Sequence, residues 1–121
     1  MANAVNWFEI PVSDMHRATA FYSAIFAFQF EAGPASEGYL MATFPADNGV
    51  GGALVSGEGY VPSASGTTVY LNGGHDLSIV LNRVEAAGGK VLVPKTDIGE
   101  NGFFAFFLDT EGNRVGLHSN G

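Results

Sequence analysis

The sequence of 121 residues contains no cysteine, few positive charges and no long apolar run, and each absence removes a class of function. Without cysteine there is no disulfide framework, no thiol nucleophile and no zinc–thiolate site. Five Lys and Arg against twelve Asp and Glu leave a net charge of −7, which opposes contact with nucleic acid or an anionic membrane. The longest apolar stretches fall well short of the roughly 20 residues that a membrane helix needs. The opening Met1-Ala2-Asn3-Ala4-Val5 lacks a basic segment followed by an apolar one, so no signal peptide is expected. What is present is an apolar share of 46%, too high for a disordered chain and enough for one core. These totals predict a single cytoplasmic domain over residues 1–121, with no nucleic-acid or membrane partner.

Periodicity supplies the elements. Val5 to Val12 alternates, with Phe8, Ile10 and Val12 on one face of a strand and Val5, Trp7, Glu9 and Pro11 on the other. Ser13-Asp14 then offers short side-chain oxygens to the free amides of a helix start. Ala18, Phe21, Tyr22 and Ile25 follow at i, i+3, i+4 and i+7, one apolar stripe. Residues 28 to 31, 38 to 44 and 50 to 55 read as short strands, parted by Gly33-Pro34 and by Pro45 to Gly49.

The pattern then restarts. Thr67 to Asn72 is a predicted strand, with Val69 and Leu71 on one face and Thr68, Tyr70 and Asn72 on the other. Asp76 can cap a helix whose stripe is Leu77, Val80, Leu81 and Val84, ended by Gly88-Gly89. Strands follow over Lys90 to Val93, Gly102 to Asp109 and Arg114 to His118, the last two joined by the turn Asp109-Thr110-Glu111-Gly112-Asn113. The sequence thus predicts an α+β fold of two βαβββ modules, 5–55 and 67–119, joined by a glycine-rich linker over 56–66.

Several segments carry a family resemblance in the right order across nearly the whole chain. They are Ile10-Pro11-Val12-Ser13-Asp14, Ala20-Phe21-Tyr22, Val84-Glu85-Ala86-Ala87-Gly88-Gly89 and, most specific, Phe107 to Val115 with its Asp109-Thr110-Glu111-Gly112-Asn113 core. Through them the chain resembles the vicinal oxygen chelate superfamily, which includes glyoxalase I, extradiol dioxygenases and the fosfomycin- and bleomycin-resistance proteins. Gly57 to Pro62 is similar to the linker of small bacterial members with no assigned reaction. The resemblance implies paired βαβββ modules forming a curved mixed sheet around an open cleft, and a homodimer.

It also implies where a divalent metal would be held in metal-dependent members: on the first and last strands of each half. Those positions read Trp7, Gly52, Thr68 and Gly116. An indole offers only an N–H donor, glycine has no side chain, and a lone neutral hydroxyl is a poor anchor. A displaced site built on Glu9 and His118 is the alternative, with two ligands where three are usual.

Other residues are candidates on their own chemistry. Glu9 and His118 share the cleft-facing parity of their strands and are the candidate catalytic pair, Glu9 as a general base. Trp7, Tyr70 and Phe104 or Phe106 can form an aromatic wall, Thr68 lies beside them, and Gly52 and Gly116 would leave room opposite. Lys95, in a polar stretch over 95–102, can meet an anionic group as that loop closes. The expectation is therefore a metal-independent protein that binds a small organic molecule, with no cofactor. A lyase, isomerase or dioxygenase using Glu9 and His118 is the alternative.

Overall fold

The computed structural model describes residues 3–32 and 38–121 of the chain. Its elements are strand β1 (Trp7–Pro11), helix α1 (Met15–Phe26), strands β2 (Glu31–Ala32), β3 (Leu40–Thr43), β4 (Gly51–Ser56) and β5 (Tyr70–Asn72), helix α2 (Ser78–Leu81), and strands β6 (Lys90–Asp97), β7 (Phe103–Leu108) and β8 (Arg114–Ser119). The Gly33-Pro34 break predicted between strands lies outside the described residues.

The strand order states the repeat directly. One sheet runs β1-β4-β3-β2 and the other β5-β8-β7-β6, the same permutation shifted by four strands. In each, the first strand pairs parallel with the last, and the remaining neighbours are antiparallel. A parallel return requires a crossover, which each module's helical segment provides. The result is the expected α+β arrangement of two βαβββ modules.

Burial follows the predicted faces. In α1 the stripe Ala18, Phe21, Tyr22 and Ile25 is buried, and the Asp14 carboxylate accepts from the Arg17 amide at 3.0 Å as its cap. In the second module Leu77, Val80, Leu81 and Val84 are buried as the periodicity required. Regular α-helix covers only Ser78–Leu81, because beyond it i→i−3 bonds such as Val84 N–H to Leu81 alternate with i→i−4 bonds such as Ala87 N–H to Arg83. Both stripes meet in one hydrophobic core that also takes Ile10 and Val12 from β1, Leu71 from β5, and Phe107 and Leu117 from β7 and β8.

Several boundaries differ from the sequence reading, among them β2, which covers Glu31–Ala32 and meets the strand expected over 28–31 only at Glu31. β5 begins at Tyr70 rather than Thr67, since Val69 contributes only its carbonyl, accepting from the Gly116 amide. β6 runs on to Asp97, past the expected end at Val93, with register shifts on either side of Val93. It is an edge strand, where Pro94 lacks a donor that no neighbour requires. Only a 3₁₀ turn, Gly99–Asn101, remains of the polar loop expected over 95–102.

Candidate functional site

A cavity of about 930 Å³ lies between the edge strands β1 and β5, where the two modules meet. Trp7 and Glu9 line it from β1, Tyr60's neighbour Val61 from the linker, and Thr68, Tyr70 and Arg114 from the second module. A second cavity of about 600 Å³ continues over the outer face of the second sheet, lined by Tyr70, Ile98, Asn101, Phe104 and His118. Tyr70 belongs to both.

On the β1 side the predicted parity holds, and it builds a small polar cluster. Glu9 Oε2 accepts from the Trp7 indole N–H at 3.2 Å, and Oε1 accepts from the Tyr60 hydroxyl at 3.0 Å. Tyr39 packs edge-on against Tyr60 with centroids 5.9 Å apart. The hydrogen bond to Glu9, and then the charge of its carboxylate, hold the Tyr60 phenol above its ordinary pKa, so Tyr60 remains a donor. Tyr60 could have been found in the sequence only as an aromatic inside a glycine-rich linker.

On the second sheet the strand β7 divides its aromatics by parity. Phe107 is buried in the core, whereas Phe104 and Phe106 lie on the outer face with Tyr70. Ring centroids are 5.7 Å apart for Tyr70 and Phe106 and 5.2 Å for Phe104 and Phe106, so the three form a continuous wall. Register pairs Tyr70 with Gly116 and Phe106 with Gly116 from the other side. A Cβ at Gly116 would stand 2.5 Å from the Tyr70 ring, so the missing side chain is what lets that ring lie on the strand. Arg114, at the near end of the wall, places its guanidinium 4.8 Å from the Phe106 centroid and donates from Nη2 to Thr68 Oγ1 at 2.9 Å.

Three expected placements are corrected. Gly52 is not the counterpart of Gly116: Ala53 pairs with Glu9 as Gly116 pairs with Tyr70, and a Cβ on Gly52 would instead collide with the ring of Phe8 on the core side. Lys95 is not in a closing loop. It lies in β6, its ammonium 2.9 Å from Asp76 and 4.4 Å from the Phe103 centroid, and it lines neither cavity. Asp76 in turn is held below its ordinary pKa by the Lys95 hydrogen bond and by the Ser78 amide. Finally, Glu9 and His118 do not converge: Glu9 faces the larger cavity, and His118 the smaller, where its Nε2 lies 2.6 Å from the Asn101 carbonyl.

A divalent metal does not fit these residues. The family's ligand positions hold Trp7, Ala53, Thr68 and Gly116; the indole N–H is already given to Glu9, Thr68 accepts from Arg114, and the Tyr70 ring covers Gly116. Among the described residues no three His, Asp or Glu side chains gather where an ion could sit.

The most heavily bonded residues are elsewhere, in the turn 109–113. Glu111 Oε1 accepts from the Ser13 and Asp14 amides, both at 2.9 Å, and its two oxygens take the Arg17 guanidinium at 2.7 and 3.0 Å. Burial disfavours the Glu111 carboxylate, but Arg17, those amides and the Thr110 hydroxyl prevail and lower its pKa to about 2. Asp109 Oδ2 accepts from the buried Tyr22 hydroxyl at 2.7 Å, and Asn113 donates to the Pro11 carbonyl at 2.7 Å. Burial, then the charge of Asp109, raises the Tyr22 pKa well above its ordinary value. The turn therefore ties the second module to the start of α1 and the end of β1.

Paired βαβββ modules around a cleft at their seam define a known class of small α+β proteins. The chain belongs to the Glyoxalase/Bleomycin resistance protein/Dioxygenase superfamily, whose family model matches residues 4–117. A glyoxylase-like domain-containing protein of Didymella fabae is 37% identical over 90% of this chain and 88% of its own length. The Mycobacterium bovis protein CFP32, provisionally named a glyoxylase, is 31% identical over 93% of this chain, which spans only 44% of CFP32. Among solved structures, a glyoxalase/bleomycin resistance protein from Streptomyces superposes with a TM-score of 0.70 at 26% identity, covering 93% of this chain and 97% of that one. A family enzyme from Burkholderia phytofirmans gives 0.71 at 16% identity over 95% and 97%, a likeness of fold. No helix among the described residues is long and apolar enough to cross a membrane.

Proposed function

We propose that this chain binds a small organic molecule in the cavity between β1 and β5, and does so without a divalent metal or other cofactor. The observation that carries the reading is the packing of the Tyr70 ring onto Gly116, the position from which metal-dependent relatives would extend a carboxylate. In place of ligands the site offers aromatic surface from Tyr70 and Trp7 and a few polar groups, the usual composition of a small-molecule pocket.

Metal analysis of protein purified without chelators, joined to a thermal-shift screen of metabolites and divalent ions, tests this. Metal well below one equivalent is expected, with at least one organic compound raising the melting temperature; a ligand at 100 times its Kd adds about 2.7 kcal/mol of stability. One tightly held equivalent of a divalent ion would overturn the reading. Glu9 and His118 face different cavities, which counts against their acting as a pair and leaves Glu9 as the one carboxylate lining the larger cavity among the described residues.

We further propose that the protein works as a homodimer in the cytoplasm. Trp7, Tyr39 and Leu40 are 45%, 37% and 54% exposed, apolar area that a second copy would cover. Light scattering on the purified protein should give twice the chain mass; a monomer at all concentrations removes the proposal.

A further inference from the structure

Arg114 gives the larger cavity a chemical preference that its aromatic wall alone does not. The protein has five Lys and Arg under a net charge of −7, and most are already committed. Arg17 is paired with Glu111 and Lys95 with Asp76, while Arg83 donates to the Ile25 carbonyl. Lys90 lines neither cavity. Arg114 lines the larger one, partly buried, and among the described residues no carboxylate pairs with it.

Building on the metal-free binding reading above, we propose that the cavity takes a planar carboxylate, with its charged end on Arg114 and its flat body against Tyr70. One Nη of the guanidinium is spent on the Thr68 hydroxyl, and the remaining N–H groups have no protein acceptor among the described residues. Those donors form a fixed planar fork, the geometry that meets both oxygens of a carboxylate at once. Stacking on Phe106 holds the guanidinium in place before any ligand arrives, so little ordering cost remains at binding. Glu9, the carboxylate in the same cavity, does not occupy this fork: no ion pair joins the two, and the Glu9 oxygens accept instead from Trp7 and Tyr60. The flat ring of Tyr70, seated on Gly116, supplies the apolar face next to the charge.

The competing account makes Arg114 a stiffener, bound to Phe106 and Thr68 for the sake of the sheet alone. Calorimetric titration with 2-naphthoate and its neutral counterpart 2-naphthamide separates the two. The wild-type protein should bind the acid about tenfold tighter than the amide, the scale expected when one charge-assisted contact is gained. That preference should shrink at high salt. Arg114→Met should abolish the preference by weakening the acid far more than the amide, whose carbonyl loses only a neutral-acceptor contact, and Arg114→Lys, which keeps the charge without the fork, should retain part of it. Equal affinity for acid and amide in the wild type overturns the inference, as does a preference that survives in R114M. If neither probe binds but another compound in the thermal screen does, the carboxylate inference falls and the cavity reading stands. If no compound binds, both fall.

Discussion

Gly116 shows how one missing side chain can decide what a site does. A methyl group there would meet the Tyr70 ring at 2.5 Å, and the ring, half exposed, is the part able to move. Gly116→Ala should therefore displace Tyr70 and destabilise the protein by about 1–3 kcal/mol, the usual cost of overpacking. In a Tyr70→Ala background the same change should cost almost nothing, and a double-mutant cycle by urea denaturation reads the coupling. Glu111 argues the opposite case, of a side chain that cannot be spared. Its pKa of about 2 lies below the ordinary carboxylate value, so its stabilising effect is complete above that ordinary value and is lost as pH falls through the folded one. Glu111→Gln should cost about 2 kcal/mol at neutral pH, between an exposed and a fully buried ion pair, because Arg17 is half exposed. The gap between variant and wild type should close as pH is lowered from about 5 toward 2, by thermal melts across that range. Gly116 was legible in the sequence as open space beside an aromatic wall, though not as the seat of the Tyr70 ring, and the role of Glu111 was not legible at all. A glutamate in a turn reads as solvated, and only the fold brings Glu111 to amides 97 and 98 residues away.

At the scale of elements, legibility followed periodicity. The stripe of α1 and the alternation of β1 were plain because each has one buried and one open face. β4 was misregistered by one residue for the converse reason: Ala53, Leu54 and Val55 are all buried, and a strand covered on both faces carries no alternation. The expected end of β6 at Val93 falls just before Pro94, a residue that an edge strand tolerates, and the strand runs on to Asp97. The candidate site split along the same line. Parity put Trp7, Glu9, Thr68, Tyr70, Phe104 and Phe106 on outward faces, although Phe106 lines neither cavity, while Lys95 and the convergence of Glu9 with His118 depended on pairings no periodicity reports. The turn 109–113 yields a prediction at this scale. Tyr22→Phe removes the buried donor to Asp109 and should cost about 1.5–3 kcal/mol, the worth of one hydrogen bond to a charged acceptor. Hydrogen exchange should quicken mainly in α1, where Tyr22 sits, because Asn113 still satisfies Asp109 from within the turn.

The whole molecule is more unified than its repeat suggests. Identical strand orders invite the idea of two independent modules, and the duplicated pattern made that topology readable before any contact was known. Yet the buried stripe of α1, the Leu77–Val84 stripe and residues of both sheets form one core, and Phe21 and Tyr22 of the first half pack on Phe107 of the second. A segment of about 55 residues has a small interior and is marginal by itself, so the shared core contributes heavily to the stability of each half. Two clamps add to this from the surface inward: Glu111 on the start of α1 and Asn113 on the end of β1. Unfolding should thus be a single cooperative event despite the repeat. Far-ultraviolet circular dichroism reports both modules, while the fluorescence of Trp7, the only tryptophan, reports the first and its seam with the second. The two urea transitions should superimpose in midpoint and slope. A tryptophan signal that changes at lower urea than the dichroism would mean that the first module opens separately, and that the shared core couples the halves less than its composition implies.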